Sequence, residues 1–121
     1  MVTKLKDSKE YVEYIKKSVK TTFPKWKELF SGNEDANGRF WVIYVYNKIK
    51  IEFVQDKGGL ELVLLKNHKE PINFLWEDIK QGILKEIPDQ DHKWFCSTCT
   101  ELIDFYINFL KDNMDKFVFE E

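Results

Sequence analysis

Hydrophobic and polar residues alternate most clearly between Arg39 and Lys66. Ile49, Ile51 and Phe53 alternate with Lys48, Lys50 and Glu52, the pattern of an antiparallel strand buried on one side. Leu60, Leu62 and Leu64 alternate with Glu61, Val63 and Leu65. Phe40 to Tyr46 is apolar on both faces, so a strand there needs covering twice and belongs inside a larger sheet or against another chain. The spacing predicts three strands, Phe40 to Tyr46, Ile49 to Val54 and Leu60 to Leu65. Turns are expected at Asn47-Lys48 and at Asp56-Lys57-Gly58-Gly59, where Gly58 or Gly59 supplies the left-handed residue of a bulged hairpin loop. A three-stranded meander does not stand alone in water, so the flanking segments must cover it.

Those segments carry a helical period. Asp7 and Glu10 have capping-box spacing, and Val12, Ile15 and Val19, with Tyr11 beside them, form one face behind them. Pro24 interrupts this helix, and Trp26, Leu29 and Phe30 predict a short second one with Pro24 in its first turn. Ser31 to Gly38 reads as a polar loop. Beyond the meander, Trp76, Ile79, Ile83, Leu84 and Ile87 predict a third helix, weakened by Gly82. The longest stripe runs from about Trp94 to Phe117 through Phe95, Cys99, Leu102, Tyr106, Phe109 and Leu110. The expected fold is α+β: N-terminal helices, an antiparallel meander of three or slightly more strands, and two C-terminal helices packed on the sheet.

Composition narrows the class. A chain of 121 residues without repeats or linkers predicts a single domain over 1–121, large enough for an ordinary core. Aromatic residues make up 16%, and rings of that bulk belong mainly to the core. No apolar run reaches membrane-spanning length and the first residues lack a signal-peptide core, so a cytoplasmic protein is expected. The bias toward Lys, Asn, Ile and Phe suggests an AT-rich, bacterial genome. Residues 1–30 hold eight Lys against four acids, whereas residues 67–121 hold six Lys against twelve acids. Arg39 is the single arginine, a poor endowment for reading nucleic acid even with Trp41, Tyr44 and Tyr46 beside Lys48 and Lys50.

Candidate chemistry is sparse. Cys96-Ser97-Thr98-Cys99 has thioredoxin-like spacing but lacks the strand before it and the strands after it. His92, Cys96 and Cys99, with His68 as a fourth ligand, make an incomplete zinc set. Buried structural cysteine is the simpler reading. The acidic pairs Glu34-Asp35, Glu77-Asp78 and Asp89-Gln90-Asp91 belong to solvated loops or polar helix faces. Gly58-Gly59 lacks the ending of a phosphate loop, and no nucleophile set is visible, so no enzyme activity and no cofactor are expected.

The hairpin Ile51-Glu52-Phe53-Val54-Gln55-Asp56-Lys57-Gly58-Gly59-Leu60-Glu61-Leu62-Val63-Leu64, with the acidic segment Leu75-Trp76-Glu77-Asp78-Ile79 after it, resembles small bacterial immunity proteins of polymorphic-toxin systems. That resemblance covers about residues 49–79 and implies a protein that neutralises a cognate toxin by binding it. The acidic half fits a basic partner such as a nuclease toxin. Glu77, Asp78, Asp89 and Asp91 are the expected contacts, with Trp76 or Trp94 as an aromatic anchor. The alternatives are a thiol or zinc protein built on Cys96 and Cys99, and a homo-oligomeric module using the outer face of strand one.

Overall fold

Asp7 caps the first helix, as its spacing to Glu10 predicts. In the computed structural model, which describes residues 3–56, 59–66, 70–71 and 98–114, α1 spans Ser8–Thr22. The Asp7 carboxylate accepts the Glu10 N–H at 2.9 Å, and the Glu10 carboxylate accepts the Lys6 N–H at 2.6 Å. The first bond satisfies one amide donor that the helix start leaves open, and the second ties down the residue before the cap. Tyr11, Val12, Ile15 and Val19 are buried on one face.

Four long strands follow: β1 (Lys27–Glu34), β2 (Arg39–Tyr46), β3 (Ile49–Asp56) and β4 (Gly59–Lys66). Each pairs antiparallel with its chain neighbour, and the two-residue β5 (Glu70–Pro71) continues the sheet beyond β4. The predicted meander is therefore present, with β1 added at its open side. Asn47 and Lys48 both have positive φ, +47° and +67°, the backbone of a two-residue hairpin whose twist matches its strands. Gly59 takes the positive φ expected after Asp56.

The expected helix through Trp26, Leu29 and Phe30 is not formed; β1 stands in its place. Pro24 is the cause. Phe23 leaves α1 outside the helical region, and the Trp26 N–H bonds the Phe23 carbonyl at 3.1 Å. Pro24 thus occupies the second position of a β-turn, which suits its fixed φ, and not the first turn of a helix. The Phe23 and Trp26 rings stack nearly parallel across that turn, with centroids 3.9 Å apart. The chain then satisfies the backbone groups along the edge of β2 that β3 leaves open. The predicted polar loop Ser31 to Gly38 shrinks to the 3-10 turn Asp35–Asn37 and Gly38.

The last helix begins later than its stripe. α2 spans Thr100–Asn113, and Cys99 precedes it as an extended N-cap whose side chain makes no capping bond. Capping comes instead from the distant N-terminal segment: the Thr100 N–H bonds the Thr3 carbonyl at 3.0 Å. Trp94, Phe95, Phe117 and the predicted helix around Trp76 to Ile87 lie outside the described residues. Among the described residues the architecture is α+β with two helices and one antiparallel sheet.

The helices share one sheet face. Rows Val42–Phe53–Leu62 and Tyr44–Ile51–Leu64 run across β2, β3 and β4, and all six side chains are buried with those of α1 and α2. The Tyr14 hydroxyl donates to Asp104 at 2.6 Å between the helices, and the buried Tyr106 hydroxyl donates to the Leu60 carbonyl at 2.9 Å. On the opposite face Trp41 lies across Gly32, so close that a Cβ on Gly32 would stand 2.5 Å from the indole ring. Gly32→Ala is therefore expected to push Trp41 off the sheet and lower stability by about 1–3 kcal/mol, read by urea unfolding. An unchanged midpoint would contradict this packing.

Candidate functional site

Edge strand β1 carries the described surface that the core does not explain. Its register with β2 slips between Glu28 and Phe30, so Leu29 is the extra residue of a β-bulge. Phe30 opposes Ile43, on the face away from the helices, and Leu29 is the unpaired residue just before it. Ile43 is buried, yet Leu29 is 40% and Phe30 51% exposed, and among the described residues these are the exposed large hydrophobics. The helix-facing side of β1 is polar: Glu28 stands opposite Tyr44 and pairs with Lys16 of α1 at 3.4 Å. Burial, and then the Glu28 charge, push the Tyr44 hydroxyl well above its ordinary pKa.

Charges bracket the apolar pair. Lys27 is exposed at one end of β1 and Glu34 at the other. Glu34 accepts from the Asn37 amide at 3.3 Å and lies 4.0 Å from Arg39, whose main partner is Asp56 at 3.2 Å. At the start of β1, Phe23, Pro24, Trp26, Tyr46 and Met114 line an apolar cleft of about 290 Å³.

The sequence-predicted sites fall elsewhere. Trp76, Glu77, Asp78, Asp89, Asp91 and Trp94, and also His68, His92 and Cys96, lie outside the described residues. Cys99 is described: it is fully buried, outside the helix proper, and burial raises its thiol pKa. That is the environment of an inert thiol. Among the described residues no three His, Cys, Asp or Glu side chains gather as metal ligands, and no helix is long and apolar enough to cross a membrane.

Sequence reading missed Leu29 and Phe30 as surface because Trp26, Leu29 and Phe30 imitate a helical face. The contrary signal was Phe23-Pro24-Lys25-Trp26, a good turn sequence directly before them. The bulge then hid the strand period, since it sets two neighbouring apolar residues against one.

Glu101 closes the fold at the other end of the molecule. Its carboxylate accepts the Thr3 N–H at 2.6 Å, and this bond first, with a weaker one from Thr100, holds its pKa down at about 2. A folded pKa below the ordinary 4.5 means a contribution present above pH 4.5 and lost as pH falls toward about 2. Glu101→Gln is expected to lower Tm at neutral pH, with the gap to wild type closing through that acid window. A gap independent of pH would contradict the Thr3 clasp. For the thiol, a Cys96→Ser chain leaves Cys99 alone, and it should react with Ellman's reagent only on unfolding. Rapid reaction in the native state would revive the redox reading. Comparison of the chain with protein-family profiles, curated proteins and solved structures found no match.

Proposed function

We propose that this is a non-enzymatic protein-binding domain, in its most concrete form a cytoplasmic immunity protein that occludes a cognate bacterial toxin. The observation that carries the binding reading is the exposed Leu29–Phe30 pair on the outer strand of the sheet. Both side chains are already about half buried, so covering the rest is worth roughly 1 kcal/mol each, a gain that the isolated chain forgoes. Apolar surface placed beside charged ends is the usual make-up of a protein contact, with a water-excluding centre and a polar rim.

Two features of the sequence favour the immunity form. The hairpin Ile51 to Leu64 resembles those proteins, and residues 67–121 hold twelve acids against six Lys. A negative half of that kind attracts a basic toxin, speeds the encounter and competes for its substrate groove. The proposed contacts are Glu77, Asp78, Asp89 and Asp91, with Trp76 or Trp94 as anchor.

Co-expression with the product of the adjacent gene tests this reading. A stable complex is expected, with toxicity relieved in cells and association slowing as salt rises. Multiple charge reversals at Glu77, Asp78, Asp89 and Asp91 should slow association about tenfold or more at low salt. No complex and no protection would end the immunity reading.

A further inference from the structure

We propose that two copies of this chain join edge to edge through β1, in one antiparallel two-fold register. β1 is the end strand of the sheet among the described residues, and the backbone groups along its outer edge form a ready template for another strand. What selects a second copy is that β1 is complementary to itself. Turned antiparallel on its own image, with Ser31 facing Ser31, it sets the Leu29–Phe30 bulge of each copy against Gly32 of the other. It also sets Lys27 of each against Glu34 of the other. The one extra residue at the bulge is the one β1 already accommodates against β2, where Leu29 is left between the Glu28–Tyr44 and Phe30–Ile43 pairs.

The faces agree as well. Lys27, Phe30, Gly32 and Glu34 all pair with β2 residues of the face away from the helices: Val45, Ile43, Trp41 and Arg39. In this register each of them meets a residue of that same face. At Gly32 the incoming Phe30 meets the Trp41 indole, which occupies the place of a Gly32 side chain and offers an aromatic neighbour. Among the described residues Lys27 has no ion pair, and Glu34 has a 3.3 Å bond from the neutral Asn37 amide and a 4.0 Å approach from Arg39, so neither end charge is held in a close ion pair. A slip of one residue would send Phe30 toward the helix-facing side and separate both Lys27–Glu34 pairs. The bulge and the end charges, which discourage pairing with an unrelated flat strand, suit this one partner.

The inference rests on the protein-binding reading and is independent of the immunity form. A short edge contact implies a weak dimer, so sedimentation velocity from about 1 µM to about 500 µM is the test. The full chain should pass from monomer to dimer over that range. Phe30→Asp should weaken the dimer about tenfold or more. Lys27→Glu and Glu34→Lys should each weaken it about tenfold, because each puts like charges across both ends. Mixed in equal amounts, those two charge variants should associate again, since each end of the mixed pair then sets like-signed residues of one copy against opposite-signed residues of the other. Circular dichroism and thermal melts establish that each variant is folded. A wild-type monomer at every concentration overturns the proposal. So does a dimer indifferent to all three substitutions, or a mixture of charge variants that fails to reassociate. A monomer that still binds the cognate toxin removes the dimer and keeps the immunity reading; a dimer without a toxin does the reverse.

Discussion

Everything in this fold follows from a strand that is apolar on both sides. β2 buries Phe40, Val42 and Tyr44 toward the helices and Ile43 on the opposite face. Such a strand is stable only with a ladder along each edge and cover over each face. β3 supplies one ladder through a two-residue turn. The other has to come from the chain just after α1, and that demand converts Lys27 to Glu34 into a strand against the helical spacing of its apolar residues.

The conversion leaves a remainder. β1 presents Glu28 to the helix layer, where Lys16 neutralises it, so this strand contributes little apolar side chain to the core. Its own apolar residues, Leu29 and Phe30, are neighbours at the bulge, and Phe30 stands opposite Ile43 on the far side. Trp41 turns over Gly32 and fills the space that a side chain would otherwise take. The edge thus combines an exposed apolar pair, a glycine covered by the Trp41 ring and two opposite end charges. Those are the elements of a contact surface, and their spacing is symmetric about Ser31.

How much of this was legible depended on whether the local signal and the tertiary demand agreed. They agreed for α1, where the Asp7–Glu10 cap and the apolar face both act within the helix. They agreed for β2 to β4, where alternation and turn chemistry are local. They disagreed at Trp26 to Phe30, because pairing with a distant strand outweighed a short apolar repeat. The start of α2 was misplaced for a related reason. Its cap is the Thr3 carbonyl, nearly the whole chain away, and neither Cys99 nor its neighbours signal it. The contact surface was illegible for the same cause as β1 itself: a bulge is a property of two paired strands and leaves no period in one.

Residue-resolved amide hydrogen exchange tests the central claim, that β1 is an open and associating edge on a sheet centred at β2. In dilute protein the amides of β2 and β3 should exchange only through global unfolding, while outward-facing amides of β1 exchange orders of magnitude faster. In concentrated protein the amides of β1 alone should slow. Protection of β1 equal to that of β2 at every concentration, or slowing confined to another element, would contradict the account.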